Sequence, residues 1–356
     1  MMGLEHIQNI NALGDAHVTA ISDVNAQSRR FGADAAGPDV AVFEHHSELL
    51  DSGLCDAVVV ATPNYTHVDV LADALAAPVH LLVEKPLCTT VADCERVLEL
   101  EAERPHGYLS WMAMEYRYMP AAGDLISLVH DGAVGTPRMV AIREHRFPFL
   151  VKVDNWNRFS QNTGGTLVEK TCHFFDLMNL ILRERPVSVM ASGAQDVNHL
   201  DESYDGRTPD ILDNAFVIID YPSGARALLD LCMFAEATDE QEEISVVGEL
   251  GKVESRMPSN TVYVGRRGEH WIGEVETYTA TDPRIVFEGL HHGSSYIEHA
   301  EFVQAIRSGG SPTVTLEDGY WAVAMGAAAH RSIELGRRVE LSEIMDARWA
   351  APMSTS

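Results

Sequence analysis

Three ionisable residues, Glu169, His173 and Asp176, stand at i, i+4 and i+7 within the run GGTLVEKTCHFFDLMNLIL (164–182). On one α-helix this spacing puts a carboxylate, an imidazole and a second carboxylate on a single face, a combination suited to acid–base chemistry. Histidine is the side chain best poised to move a proton near neutral pH, and a carboxylate beside it can fix its tautomer and stabilise its charged form. Alone, such a face is more often a solvated one. The stretch CHFFDLMNLIL, however, is so apolar that its helix must be largely buried, and buried ionisable groups need partners or a function. Cys172, on a different face from His173, reads as core rather than as the nucleophile of a Cys–His pair.

A second spacing points to a cofactor. Gly3 precedes a helical stretch from Leu4 to about Leu13, a strand-like run HVTAIS follows, and Asp23 lies 20 residues after Gly3. In a dinucleotide fold a Gly-rich turn brings backbone N–H groups to the pyrophosphate, and an acid about 20 residues later binds the ribose hydroxyls. Gly3 then takes the place of the last glycine of G-x-G-x-x-G, with neither the first strand nor the first two glycines ahead of it. The expectation is a misplaced start or a truncation that exposes two strand edges, which in-frame upstream coding for an apolar strand and G-x-G tests. A turn glycine and a solvated loop acid are the competing reading. The Asp23 carboxylate favours NAD over NADP, because it accepts from a free 2′-hydroxyl and repels a 2′-phosphate. Arg29 and Arg30 are expected to lie too far along the next helix to reverse this.

These residues require elements to hold them. Up to Ala113, short apolar runs alternate with amphipathic stretches: HVTAIS (17–22), DAVVVAT (56–62), VHLLVEKP (79–86) and YLSWMAM (108–114), with TVADCERVLELEAE (90–103) as one intervening helix. Runs without polar alternation are those of a parallel sheet covered on both faces. After about Pro120 come a helix, a strand at 137–147, a long loop ending at Gly164-Gly165, strands at 187–193, 213–221, 224–234 and 243–248, and helices at 295–308 and 317–335. The fold class is α/β: a Rossmann-type parallel-sheet domain over residues 1–119, short of its first strand, followed over 120–356 by an α+β domain with a large, mostly antiparallel sheet for substrate binding and oligomerisation.

With 356 residues, 46% of them hydrophobic, the chain can bury the cores of two domains. A formal charge of −27 disfavours nucleic acid and anionic membranes as partners. Five scattered cysteines without a C-x-x-C pair signal neither a disulfide framework nor a zinc site, and no metal is expected. No apolar run nears a membrane span and no signal peptide leads the chain, so a cytoplasmic protein is expected.

The ordered motifs ATPNYTH (61–67), VEKPL (83–87), MEYRYMP (114–120), GGTLVEKTCHFFD (164–176) and AIRSGGSP (305–312) resemble the glucose-fructose oxidoreductase/inositol dehydrogenase/rhizopine catabolism family over essentially the whole chain. The resemblance implies an NAD-dependent dehydrogenase acting on a ring hydroxyl of a sugar or cyclitol. Lys85 would point into the active site after a Lys85-Pro86 bond that is often cis, and Thr62, Pro63, Asn64 and Glu84 would line the cofactor, with His67 a further neighbour of it. His173 would take the hydroxyl proton while Lys85 offers positive charge to the developing alkoxide. A homodimer or homotetramer is also implied. The chain departs from the usual pattern by carrying Glu169 where Asp is common, which leaves open whether Glu169 orients His173 or meets substrate. It also carries Lys170, which could replace or supplement Lys85.

Residue type adds Tyr116, Arg117, Trp156, Asn157 and Arg158 as stacking and hydroxyl-binding groups for a polyol, with core packing the alternative for the aromatic ones. His291 and His292 could line the same pocket from the far domain, and His6 and His17 read as structural or exposed. Two other functions compete: an NAD-using glycosidase of the same family, and a non-catalytic NAD-binding relative, against which the retained Lys85, Glu169, His173 and Asp176 argue.

Overall fold

The computed structural model describes residues 2–268 and 271–349. The chain divides into two compact units, one built from residues up to 88 with 92–119 and 283–320, the other from 89–91, 120–282 and the residues from 321 onward. Thus 283–320, expected with the second domain, belong with the first. The reason lies in helix packing: a helix at Ser294–Ser308 lies against the one at Met2–Leu13.

The first unit runs α1 (Met2–Leu13), β1 (Ala20–Ser22), α2 (Ala26–Ala36), β2 (Ala41–Phe43), α3 (His46–Asp51), β3 (Ala57–Val60), α4 (His67–Ala76), β4 (His80–Val83), α5 (Val91–Ala102) and β5 (Ser110–Met112). All its strand pairs are parallel, but they form two separate ladders among the described residues, β1–β2 and β3–β4–β5. The apolar run of β3 is correspondingly half-buried except for Val60, whereas Leu81, Leu82 and Val83 of the doubly flanked β4 are fully buried. Ladder position, more than composition, sets that difference.

The second unit begins with α6 (Pro120–His130) and β6 (Pro137–His145), then three helices, α7 (Ser160–Thr163), α8 (Thr166–Glu169) and α9 (Cys172–Leu182). Strands β7 (Ser188–Ala194), β8 (Asn214–Asp220), β9 (Arg226–Cys232), β10 (Glu242–Gly248), β11 (Gly251–Met257), β12 (Thr261–Arg266) and β13 (Glu276–Thr279) follow. After α10 (Ser294–Ser308) and α11 (Leu316–Leu335) comes β14 (Val339–Glu340). The nine strands make one sheet, ordered β13-β12-β11-β10-β6-β9-β8-β7-β14, antiparallel throughout except where β6 runs beside β9. Sequence patterning missed β11 to β13. In β11 and β12 the alternation of buried Val and Met with Lys, Glu, Arg and Tyr is plain once register is known, whereas the four residues of β13 are all exposed. Helices α6 and α9 cover one face of the sheet. On β6 to β9, side chains of the other parity remain out, among them Met139, Met190, Phe216, Ile218 and Leu228.

Candidate active site

In the first unit the relevant groups gather at the carboxyl ends of parallel strands, where βα loops diverge and ligands bind in open α/β sheets. Asp23 follows β1, Thr62, Pro63 and Asn64 follow β3, and Glu84 and Lys85 follow β4. The Lys85-Pro86 bond is cis. Two histidines hold this turn. His67, fully buried at the start of α4, spans two loops: its Nδ1 is 2.9 Å from the Pro86 carbonyl and its Nε2 3.0 Å from that of Thr62. Burial keeps its pKa below the usual imidazole range. A neutral imidazole has one N–H, so His67 donates to one of these two main-chain carbonyls while it fills the space between the Thr62 and Pro86 loops. From the other side His6 of α1 brings its Nε2 to 2.8 Å from Glu84 Oε1, and Glu84 Oε2 accepts the Lys85 amide at 3.1 Å.

Several expected ligand-binding groups have internal partners. His291 belongs to the first unit, not the far domain: its Nδ1 is 3.1 Å from Glu5 Oε1 and its Nε2 3.9 Å from Glu115. His292 takes a positive φ of 54°. Buried Tyr116 has its ring 6.4 Å from that of His291. Arg117 donates to the Thr313 carbonyl and lies 3.4 Å from Asp318. Arg29 also departs from expectation. Its guanidinium folds back one turn to donate to the carbonyls of Asp23 and Val24 and reaches Glu44 at 3.3 Å, because the long side chain spans the first turn of α2. It therefore stands at the Asp23 loop, with its hydrogen bonds directed at protein oxygens.

Does this end of the sheet suit a dinucleotide? One buried donor answers to it: the side-chain amide nitrogen of Asn64, a residue 7% exposed, has no hydrogen-bond partner among the described residues. A buried donor left unpaired is costly, so its presence beside the β3 loop fits a ligand oxygen bound there. Asp23 is exposed after β1, and its Oδ1 accepts only the Asn25 amide among the described groups.

In the second unit Glu169, His173 and Asp176 are 5%, 2% and 1% exposed, which bears out burial of the acid–base cluster. The single helix is corrected: Glu169 ends α8, Lys170 and Thr171 form a turn, and α9 starts at Cys172, so only His173 and Asp176 share a helix. Thr171 explains the break. Its hydroxyl bonds back to the Leu167 carbonyl at 2.7 Å, and its backbone carbonyl instead accepts from the amides of Phe174 and Phe175. Gly165, at φ 85°, admits the His330 ring, whose Nε2 would lie 2.4 Å from a Cβ there. That nitrogen accepts the Leu167 amide at 3.2 Å.

Lys170 is also accounted for. Its ammonium lies 2.8 Å from Glu144 of β6, which is fully buried and also held by Arg146 at 3.3 Å, and burial pushes the Lys170 pKa down. Asn157 and Arg158, expected at the polyol, are partly engaged within the protein: Asn157, wholly buried, donates to the Leu150 carbonyl, and Arg158, 2% exposed, pairs through its Nε with Glu202 at 2.8 Å, while Asn157 Oδ1 and Arg158 Nη1 have no hydrogen-bond partner among the described residues. Trp156 stays half-buried.

The low pKa values of two histidines have a consequence for stability. Burial, with the charge of His6 behind it, brings His299 to about 3, and burial brings His330 to about 4. Both lie below the unfolded imidazole value, so between these limits the unfolded chain binds more protons. Stability is therefore whole above pH 6.5 and declines as pH falls toward 4 and then 3, by on the order of 3 kcal/mol for His330 alone. Thermal melts from pH 8 to 4 should show this fall, and His330→Gln should flatten part of it; a flat wild-type profile contradicts the assignment.

A parallel-sheet unit with its polar groups at the strand ends, and a mostly antiparallel unit carrying a buried acid–base cluster, define a Rossmann-type oxidoreductase. Residues 1–109 match the model of the "oxidoreductase family, NAD-binding Rossmann fold", and 126–341 that of the "oxidoreductase family, C-terminal alpha/beta domain". The chain belongs to this family of Gfo/Idh/MocA oxidoreductases. It is 29% identical over 350 residues to myo-inositol 2-dehydrogenase of Thermotoga maritima, covering 97% of each chain. Over 184 residues, 50% of this chain and 49% of the relative, it is 43% identical to an inositol 2-dehydrogenase of Leifsonia xyli subsp. xyli. The solved structure of levoglucosan dehydrogenase in complex with NADH and levoglucosan shares the fold at a TM-score of 0.83 and 19% identity, over 96% of this chain and 97% of that one.

Proposed function

We propose that this oxidoreductase is an NAD-dependent dehydrogenase that oxidises a ring hydroxyl of a cyclitol or sugar, an inositol first. One observation carries the reading: a chain that aligns over 97% of its length with a myo-inositol 2-dehydrogenase keeps His173 buried with carboxylates at 169 and 176. The cofactor would be held by the first turn of α1 with Gly3, by Asp23 at the ribose, and by Thr62, Pro63, Asn64 and the Glu84-Lys85 turn. Bound NAD supplies the hydride acceptor. His173 takes the hydroxyl proton, with Asp176 and Glu169 favouring its charged form, and the Lys85 ammonium stabilises the alkoxide that develops. The Asp23 carboxylate supports NAD over NADP, since the nearby Arg29 is already bonded to main-chain oxygens and Glu44.

Absorbance at the nicotinamide band, with inositols and monosaccharides offered against NAD and NADP separately, tests the reading. NADH accumulation on a polyol supports it. Hydrolysis of an aryl glycoside without NADH accumulation would move the chain to the glycosidase reading, and NAD binding without turnover of any polyol to the non-catalytic one.

The outward side chains of β6 to β9 support self-association, because Phe216 is 60% exposed and Met139 57% on one sheet face, with Ile218 and Leu228 between. Light scattering should give a dimer or tetramer for the wild type and a smaller species for Phe216→Asp; a wild-type monomer removes this part of the proposal. No helix among the described residues is long and apolar enough to cross a membrane. The five cysteines are free thiols, which supports a reducing compartment such as the cytoplasm.

A further inference from the structure

A buried chain of side chains links α10 through α1 to the Lys85 turn, and its protons can be counted. His299 Nδ1 lies 2.6 Å from the Ser295 carbonyl, which can only accept, so the proton of neutral His299 is on Nδ1 and its Nε2 is an acceptor. That Nε2 is 3.0 Å from His6 Nδ1, which must therefore donate. His6 Nε2 faces Glu84 Oε1 at 2.8 Å, and an ionised Glu84 requires a donor there as well. His6 then carries both protons. His6, His299 and Glu84 are 4%, 2% and 5% exposed, so this is an ion pair inside the protein, where a single unmatched charge would be costly.

The surrounding groups agree with the count. Burial works to raise the Glu84 pKa, but the hydrogen bond and charge of His6, with Lys85 and His291 beyond it, bring it to about 2. Glu5 is drawn down against burial by His291, the Leu290 amide and His6. Glu115 and Glu298 are pushed up, first by burial and then by other carboxylates, although His291 and Lys85 at Glu115 and Arg117 at Glu298 pull the other way. Two of the four buried glutamates near His6 thus keep their charge and two lean toward their neutral forms.

We propose that His6 is a positioning residue for Lys85: the donor at its Nε2 fixes the Glu84 carboxylate, whose second oxygen holds the Lys85 amide, and so it sets where the lysine stands. The proposal rests on the catalytic role of Lys85 proposed above. It also gives the first turn of α1, the turn expected at the pyrophosphate, a rigid connection to Lys85.

Two near-isosteric variants separate positioning from packing. His6→Gln places a donor where Nε2 stood and keeps the bond to Glu84, whereas His6→Asn places one where Nδ1 stood and keeps only the bond to His299. The expected result is that His6→Asn lowers kcat about 10–100-fold with polyol KM and NAD affinity within about threefold, while His6→Gln recovers most of kcat. Equal losses in the two variants, or none in His6→Asn, overturn the proposal. Exchange of the Lys85 amide hydrogen, which Glu84 Oε2 accepts, supplies a readout independent of turnover. This exchange should quicken at least tenfold in His6→Asn and not in His6→Gln. If Lys85→Ala leaves turnover intact, the catalytic reading fails while the exchange result still decides whether His6 holds the turn.

Discussion

His173→Ala is expected to lower kcat with a polyol substrate by about 10²–10⁴-fold, equivalent to about 3–5 kcal/mol of barrier. The loss follows from position as well as residue type. His173 stands on the first turn of α9, 2% exposed, in a helix whose other residues are almost all buried. Its removal eliminates the group proposed to take the hydroxyl proton and leaves the carboxylates at 169 and 176 without the imidazole. The acidic limb of the kcat/KM profile should disappear with it, because a base that must be unprotonated to act is what creates that limb. Imidazole added to the alanine variant should restore part of the rate. Steady-state kinetics across pH on the wild type and His173→Ala, with circular dichroism to establish that the variant is folded, make the measurement. A variant within threefold of wild type would remove His173 from the mechanism.

Lys85→Ala is expected to cost about 10²–10³ in kcat, the scale of one electrostatic donor to a developing oxyanion. The side chain is half-buried at the carboxyl end of β4, and its backbone is gripped on both sides, by Glu84 at its amide and by His67 at the Pro86 carbonyl. Such support matters because a charge contributes most when it need not reorganise as the reaction proceeds. Lys85→Arg should recover only part of the loss, since a planar guanidinium does not place its charge where a compact ammonium does. NADH affinity, read by fluorescence titration, should stay within a few-fold, which separates a loss in the chemical step from a collapsed cofactor site. Should both variants bind NADH normally and turn over at the wild-type rate, the lysine has no part in the chemistry. Lys170 offers no ready substitute, because its ammonium is bound to the buried Glu144.

Much of the architecture was legible in the chain because burial imposes pattern. Apolar runs without alternation marked β3 and β4, and the alternating runs marked β7 to β10, each within a few residues of its observed position. Strands β11 and β12 escaped because their apolar residues alternate with many charged ones and their place follows the register set by β10, and β13 escaped because it is short and wholly exposed. The helix break between Glu169 and Cys172 escaped for a different reason. It depends on Thr171 bonding back to Leu167, a local competition that periodicity does not register.

By itself the sequence determined which residues could do chemistry: the acid–base trio, the Glu84-Lys85-Pro86 turn and the Gly3–Asp23 spacing rest on intervals short enough for one element, two adjoining short helices or one βα unit to enforce. Only the tertiary structure decided their partners. His6 meets Glu84 across 78 positions and His299 across 293, Lys170 meets a glutamate from β6, and Arg158 meets Glu202. A buried charge must find an opposite charge or a hydrogen bond, but the residue that supplies it is set by which elements the fold brings together. No local spacing encodes that, which is why the internal partners of Arg117, Arg158 and His291, and the contact of His6 with Glu84, appear only in the folded chain.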